Sequence, residues 1–240
     1  MRYLCSVVTL VLTLTIGLVG QGVANSVLLQ NATATFSQGE FEVKKAIDGV
    51  LNDDRGWAIY PNITAQTAVF ETLTDVGFSG GTELTFLMYQ QHSNPGHLLG
   101  RFRLSITTDD RNTFADGLSS GGDVTATWSI LTPNTEVSLN GATLTVLGDN
   151  SILASGNNPS VDTYTVTAMT SITNITGIRL EVLQDTSLPY NGPGRYTGNG
   201  NFCLTELTLD ATAVVPEPAT MLLLGLGLMG VAGIRRKFKK

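Results

Sequence analysis

From Val27 to Leu209, apolar and polar residues alternate in short runs rich in Thr, Val, Leu and Ile. That is the period of strands with one buried face. The clearest runs are 67–71, 83–87, 101–106, 124–130, 143–147, 163–168, 177–182 and 202–209. Turn formers separate them: Gly80-Gly81, Asn94-Pro95-Gly96, Gly121-Gly122, Asn140-Gly141, Asn157-Asn158-Pro159 and Asn191-Gly192-Pro193-Gly194. Helical spacing is confined to a short turn at 43–46. Roughly ten strands at this spacing predict an all-β antiparallel sandwich or jelly roll. The alternation assigns Phe70, Leu84, Phe86, Phe102, Leu104, Ile106, Tyr164, Val166, Ile178, Leu180 and Leu207 to its interior.

The two ends break this pattern. Arg2 precedes an apolar run from Leu4 to Val19, closed by the small residues Gly22-Val23-Ala24. This is the layout of a secretory signal peptide, residues 1–24. Cys5 falls inside it, so Cys203 is the one cysteine expected in the mature chain. No intrachain disulfide can then form, and Cys203 reads as a small buried hydrophobe. At the other end, Pro216-Glu217-Pro218 leads into an apolar stretch, 219–234, and then into Arg235-Arg236-Lys237-Phe238-Lys239-Lys240. As a helix this stretch spans about 24 Å, a little short of a hydrocarbon core of about 30 Å, and basic side chains that snorkel extend its reach. The basic end places the C-terminus in the cytoplasm and the middle of the chain outside the inner membrane, the topology the signal peptide also requires.

Charge sharpens this division. The chain has 240 residues, 14 Lys+Arg, 20 Asp+Glu and a formal charge of −6. Setting aside Arg2, the five terminal bases and Glu217 leaves 8 bases against 19 acids, a balance of −11 for the middle. The bases are scattered, so a polyanionic nucleic acid is excluded as partner.

The tail, with Pro216, Glu217 and Pro218, the apolar span and Arg235-Arg236, resembles the PEP-CTERM sorting signal. The resemblance implies delivery through the Sec machinery, anchoring N-out and C-in at the inner membrane, and removal of the tail, residues 215–240, by an exosortase. The protein then proceeds to the cell surface or extracellular matrix. A permanent one-pass anchor is the alternative. The middle resembles a second family. Ala34-Thr35-Phe36-Ser37-Gln38, Ala46-Ile47-Asp48-Gly49 and Gly56-Trp57 at its start, with 175–182 and Asn201-Phe202-Cys203-Leu204-Thr205-Glu206-Leu207 at its end, are similar to galactose-binding-like, discoidin-type jelly rolls. The resemblance covers 25–211. Residues 110–156 exceed the usual connection and predict either an inserted layer or a second small sandwich.

In that family the A-x-D-G turn often holds a structural Ca²⁺. The resemblance implies Asp48, Asp53 and Glu206 as ligands here, with turn carbonyls completing six to eight oxygens; the alternative is an ordinary self-capped turn. A sugar-binding groove is expected at two loops: Tyr89, His97 and Arg101 around the first, Arg195 and Tyr196 on the second. They supply aromatic faces for a ring and polar groups for its hydroxyls. His92 and His97 could approach as metal ligands, but no third His joins them. No nucleophile elbow, zincin motif or phosphate loop occurs. The expectation is an exported, non-catalytic surface or matrix protein that binds carbohydrate or exopolysaccharide. The alternatives are a purely structural matrix component and an unrecognised polysaccharide-processing enzyme.

Overall fold

The computed structural model describes residues 24–51 and 54–214. The signal peptide, Asp53, and the tail with Pro216, Glu217, Pro218, Arg235 and Arg236 lie outside the described residues.

Among the described residues, twelve strands form two antiparallel sheets. The smaller contains β1 (Ala24–Val27), β12 (Glu206–Ala213), β4 (Thr82–Gln90), β10 (Asp162–Thr170) and β7 (Pro133–Ser138), in that order. The larger runs β2 (Leu29–Ala34), β3 (Gln66–Val76), β11 (Ile175–Val182), β5 (Arg101–Thr107), β9 (Ile152–Gly156) and β8 (Ala142–Val146), with β6 (Ser129–Ile130) also paired to β5. Residues 110–156 thus give strands to both sheets. The compact unit Gly22–Val214 contains both sheets and the whole core between them. It has what an independently folding domain requires.

Alternation decides which face is buried. In β4, Thr82, Leu84, Phe86, Met88 and Gln90 point inward and the residues between them do not. Register sets Val166 and Leu209 on either side of Phe86, and Tyr164 and Leu207 on either side of Met88. In the facing sheet Ile178 lies between Phe70 and Ile106, and Leu180 between Ala68 and Leu104. Every interior position named from the sequence is buried. The turn at 43–46 is a 3-10 helix, Val43–Ile47, packed against β2 and β12.

One predicted strand is absent. Within 124–130 only Ser129 and Ile130 pair with a neighbour. Val124, Ala126 and Trp128 instead pack over the outer face of the large sheet against Val69, Phe114 and Ala115. The alternation there records a covering segment with one buried side. Trp128 also takes the Arg179 guanidinium over its ring, 5.2 Å from the centroid. Likewise 202–205 is held by loops, and the last strand begins only at Glu206.

The registers bring the connections 35–65, 91–100, 157–161 and 183–205 to one end of the sandwich.

Candidate functional site

Three segments are stitched together at that end by their own backbones. Trp57 and Leu204 exchange N–H···O bonds of 2.8 and 2.9 Å, and the Trp57 indole N–H donates to the Phe36 carbonyl at 3.1 Å. The Trp57 ring meets Phe202 edge-on at 5.2 Å, fully buried. The Gln38 N–H donates to the Ala58 carbonyl, and Asn201 Oδ1 accepts from the Ile59 N–H at 3.1 Å. The loop after β4 docks on the same frame: the Cys203 N–H donates to the His97 carbonyl, and the Arg195 N–H to the Leu98 carbonyl. Gly194 is required by proximity, since a Cβ there would stand 2.1 Å from the Asn201 carbonyl oxygen.

This frame encloses a cavity of about 280 Å³. Four rings follow one another along it. Phe41 and His92 lie 5.7 Å apart, His92 and His97 5.1 Å, and Tyr196 stacks on His97 at 3.8 Å and 17°. Tyr60 stands at the rim, 47% exposed. Between the rings are the amides of Gln38, Asn94, Asn199 and Asn201. His97 Nδ1 lies 3.0 Å from the Asn94 carbonyl oxygen, so in the neutral ring this nitrogen carries the proton and Nε2 accepts. Burial, chiefly, holds the His97 pKa below its usual value, which keeps the ring neutral. The lining contains no carboxylate, lysine or arginine. Rings plus uncharged donors and acceptors are the chemistry that binds a neutral polyol ring.

Beside the cavity lies the Asp48 turn. Gly49 has φ 82°, a conformation that glycine adopts without strain. Its N–H donates to Glu206 Oε2 at 3.2 Å, while Asp48 Oδ1 caps the Val50 N–H at 3.0 Å. The buried Thr205 ties the turn down, its hydroxyl bonding the Leu51 and Tyr89 carbonyls and accepting from the Gln91 N–H. Glu206 is 5% exposed, and its carboxyl is pushed up to about 7. Burial is the main cause and the Asp48 charge adds to it, against the N–H bonds from Gly49 and Asp48. The described residues contain no group of three His, Cys, Asp or Glu placed to hold a metal. They do supply two neighbouring carboxylates, one buried, with turn carbonyls nearby. That donor set suits a hard cation, with the remaining oxygens to come from carbonyls and water.

The structure therefore brings His97 and Tyr196 into one cavity, and Asp48 and Glu206 into one turn. It keeps the other expected residues, Tyr89, Arg101 and Arg195, out of the ring-lined cavity. Tyr89 lies on the outer face of the small sheet, opposite Glu206 and Thr163 in register. Arg101 belongs to the large sheet, where its guanidinium meets Asp149 at 2.9 Å, Asp185 at 3.4 Å and Ser151 at 3.0 Å. With the Gln184 carbonyl at 3.4 Å, four acceptors commit that cation to structure. Arg195 is 5% exposed and faces a different cavity, because neighbours on extended backbone point to opposite sides and Tyr196 takes the ring-lined one. Phe41, Tyr60 and Asn201 were not legible as site residues, since each comes from a loop whose partner is distant in sequence.

Residues 214–237 match the family model of the PEP-CTERM protein-sorting motif. The chain carries a PEP-CTERM sorting motif. Such a motif indicates an exported protein handled by an exosortase. No curated protein matches the chain significantly. Similar solved structures include a family 32 carbohydrate-binding module from Clostridium perfringens NanJ, solved with galactose: 11% identity, 78% of this chain and 99% of that one covered, TM-score 0.38. A family 32 module of a Clostridium perfringens family 31 glycoside hydrolase is similar at 12% identity, 76% and 94% coverage and TM-score 0.41. A structure from the Streptococcus pneumoniae beta-galactosidase BgaA is similar at 11% identity, 77% and 97% coverage and TM-score 0.45.

Proposed function

We propose that this PEP-CTERM protein is a non-catalytic carbohydrate-binding protein of the cell surface or extracellular matrix, and that the ring-lined cavity binds a neutral sugar of an exopolysaccharide. The observation that carries this is the row Phe41, His92, His97 and Tyr196 flanked by four amides and free of charged side chains. Aromatic faces cover the C–H face of a pyranose, and the amides and the imidazole bond its hydroxyls. A calcium ion held by Asp48 and Glu206 would neutralise the buried carboxylate and stiffen the turn that leads into Trp57 and Tyr60. Its part is structural: it fixes one wall of the cavity.

The sequence supports the route. The signal peptide leads the chain through Sec, the apolar span holds it N-out in the inner membrane, and exosortase releases it. Mass spectrometry of the native C-terminus tests this; a mature surface protein still ending in Lys240 would contradict release. For binding, the folded unit 24–214 is presented with Ca²⁺ to an array of neutral hexosides. Retention is expected, with Tyr196→Ala weakening it about tenfold at unchanged fold, the scale of losing one aromatic platform. An array on which no neutral glycan is retained by the wild type would sink the assignment.

A further inference from the structure

A second cavity, of about 260 Å³, lies across the backbone from the first, walled by Ser155, Asn158, Ser187, Leu188, Pro189 and Arg195. Its unusual member is the arginine. Arg195 is 95% buried by its 5% exposure, yet none of the described carboxylates lies within ion-pair distance of it. Nη2 donates to the Gly156 carbonyl at 3.0 Å, while Nη1 is buried and finds no acceptor. A buried cation without a counterion is costly, and structures keep one where something else supplies the charge.

The nearby groups do not supply it. The Tyr164 hydroxyl hydrogen-bonds the guanidinium and donates to the Leu99 carbonyl, but burial pushes it up to about 12, so it stays neutral and supplies no charge. The buried Asp162 carboxylate acts on the same Tyr164 but makes no ion pair with Arg195; its oxygens accept from Ser138 Oγ at 2.6 Å, the Asn140 N–H at 3.0 Å and the Thr163 N–H at 2.8 Å. No acid lines the cavity. Its other polar groups are hydroxyls and an amide, which suit sugar hydroxyls. Tyr190, next in the chain to the lining residue Pro189, is 68% exposed.

We propose that this cavity is a second glycan site, specific for a hexuronate residue, whose carboxylate supplies the direct ion-pair partner that Arg195 lacks. The carboxylate approaches the guanidinium while Ser155, Ser187 and Asn158 bond the ring hydroxyls. The inference rests on the carbohydrate-binding reading in its ligand class, but on a different cavity and a different arginine. The chain would then recognise an acidic polysaccharide by its uronate and neutral residues separately.

The test titrates galacturonate oligomers, and neutral galactose oligomers in parallel, into the folded unit 24–214 by calorimetry at low and high salt. The wild type is expected to bind the uronate, more weakly as salt rises. Arg195→Gln should lose at least about tenfold in uronate affinity, the scale of a charge-assisted hydrogen bond, with neutral binding retained. Ser155→Trp, at an exposed position on the rim, should block uronate binding without disturbing the arginine and so covers the case in which Arg195→Gln fails to fold. Tyr196→Ala should do the reverse, weakening only neutral binding. A wild type that binds neutral oligomers but not uronate, or a folded Arg195→Gln or Ser155→Trp that binds uronate as the wild type does, would overturn the second site and leave the first standing. Uronate binding without neutral binding would do the opposite.

Discussion

Glu206 offers a stability experiment whose sign is fixed by the structure. Its carboxyl is raised from 4.5 to about 7 in the fold, by burial first and the Asp48 charge next. A folded-state pKa above the unfolded one means that the native state holds the proton more tightly. The contribution is therefore fully present below about pH 4.5 and is lost as the pH rises through about 7. At about 1.4 kcal/mol per factor of ten in proton affinity, the ceiling is about 3 kcal/mol, and residual screening at the turn brings it nearer 2. For a unit of this size about 2 kcal/mol is about 4–8 °C in Tm. Glu206→Gln keeps the shape of the protonated acid and cannot ionise. In EDTA, the wild type should fall relative to E206Q by that amount between pH 5 and 8, by thermal unfolding of 24–214. His97, whose pKa is lowered, acts in the opposite direction, stabilising above about 6.5 and losing that on acidification, but it is common to both proteins and cancels in the difference. Millimolar Ca²⁺ at pH 8 should restore the wild type and leave E206Q unmoved. A difference between the two proteins that is flat from pH 5 to 8 would refute the account of the buried carboxylate. A wild-type Tm at pH 8 that ignores Ca²⁺ would refute the cation's place there.

Other consequences follow from packing. Phe86→Ala, fully buried at the centre of the small sheet, should cost about 3–5 kcal/mol in denaturant unfolding. Gly194→Ala drives a methyl into the Asn201 carbonyl, where no side chain can yield. It should abolish binding at the ring-lined cavity, with a loss of about 1–3 kcal/mol in stability by chemical denaturation. Trp128→Ala uncovers Arg179 on the outer face of the large sheet, far from the loop end. It should lower Tm by a few degrees while glycan affinity, read on the same array, stays within about twofold.

Much of this molecule can be read in one dimension. Strand alternation is a local property, so the buried set from Phe70 to Leu207 is fixed by which residues occupy every second position. The failure at 124–130 shows the limit of that reading. One-sided burial against a sheet's outer face, as Val124, Ala126 and Trp128 have, leaves the same trace as a strand without the pairing. The Asp48 turn and Glu206 could be linked through their order along the chain, whereas the site rings could not. His97 and Tyr196 lie 99 residues apart, and Phe41 and Tyr60 reach the cavity only because Trp57 and Leu204 pair across the sandwich.

The sequence by itself determined the class of fold, the buried faces and the sorting tail, because periodicity and a contiguous motif need no partner to be recognised. Tertiary structure alone decided which polar residues act together. It gave Arg101 four acceptors and left Arg195 beside Tyr196 with none for its Nη1. Whether a buried cation is satisfied depends on carboxylates far away in the chain, and only the folded register brings them within reach.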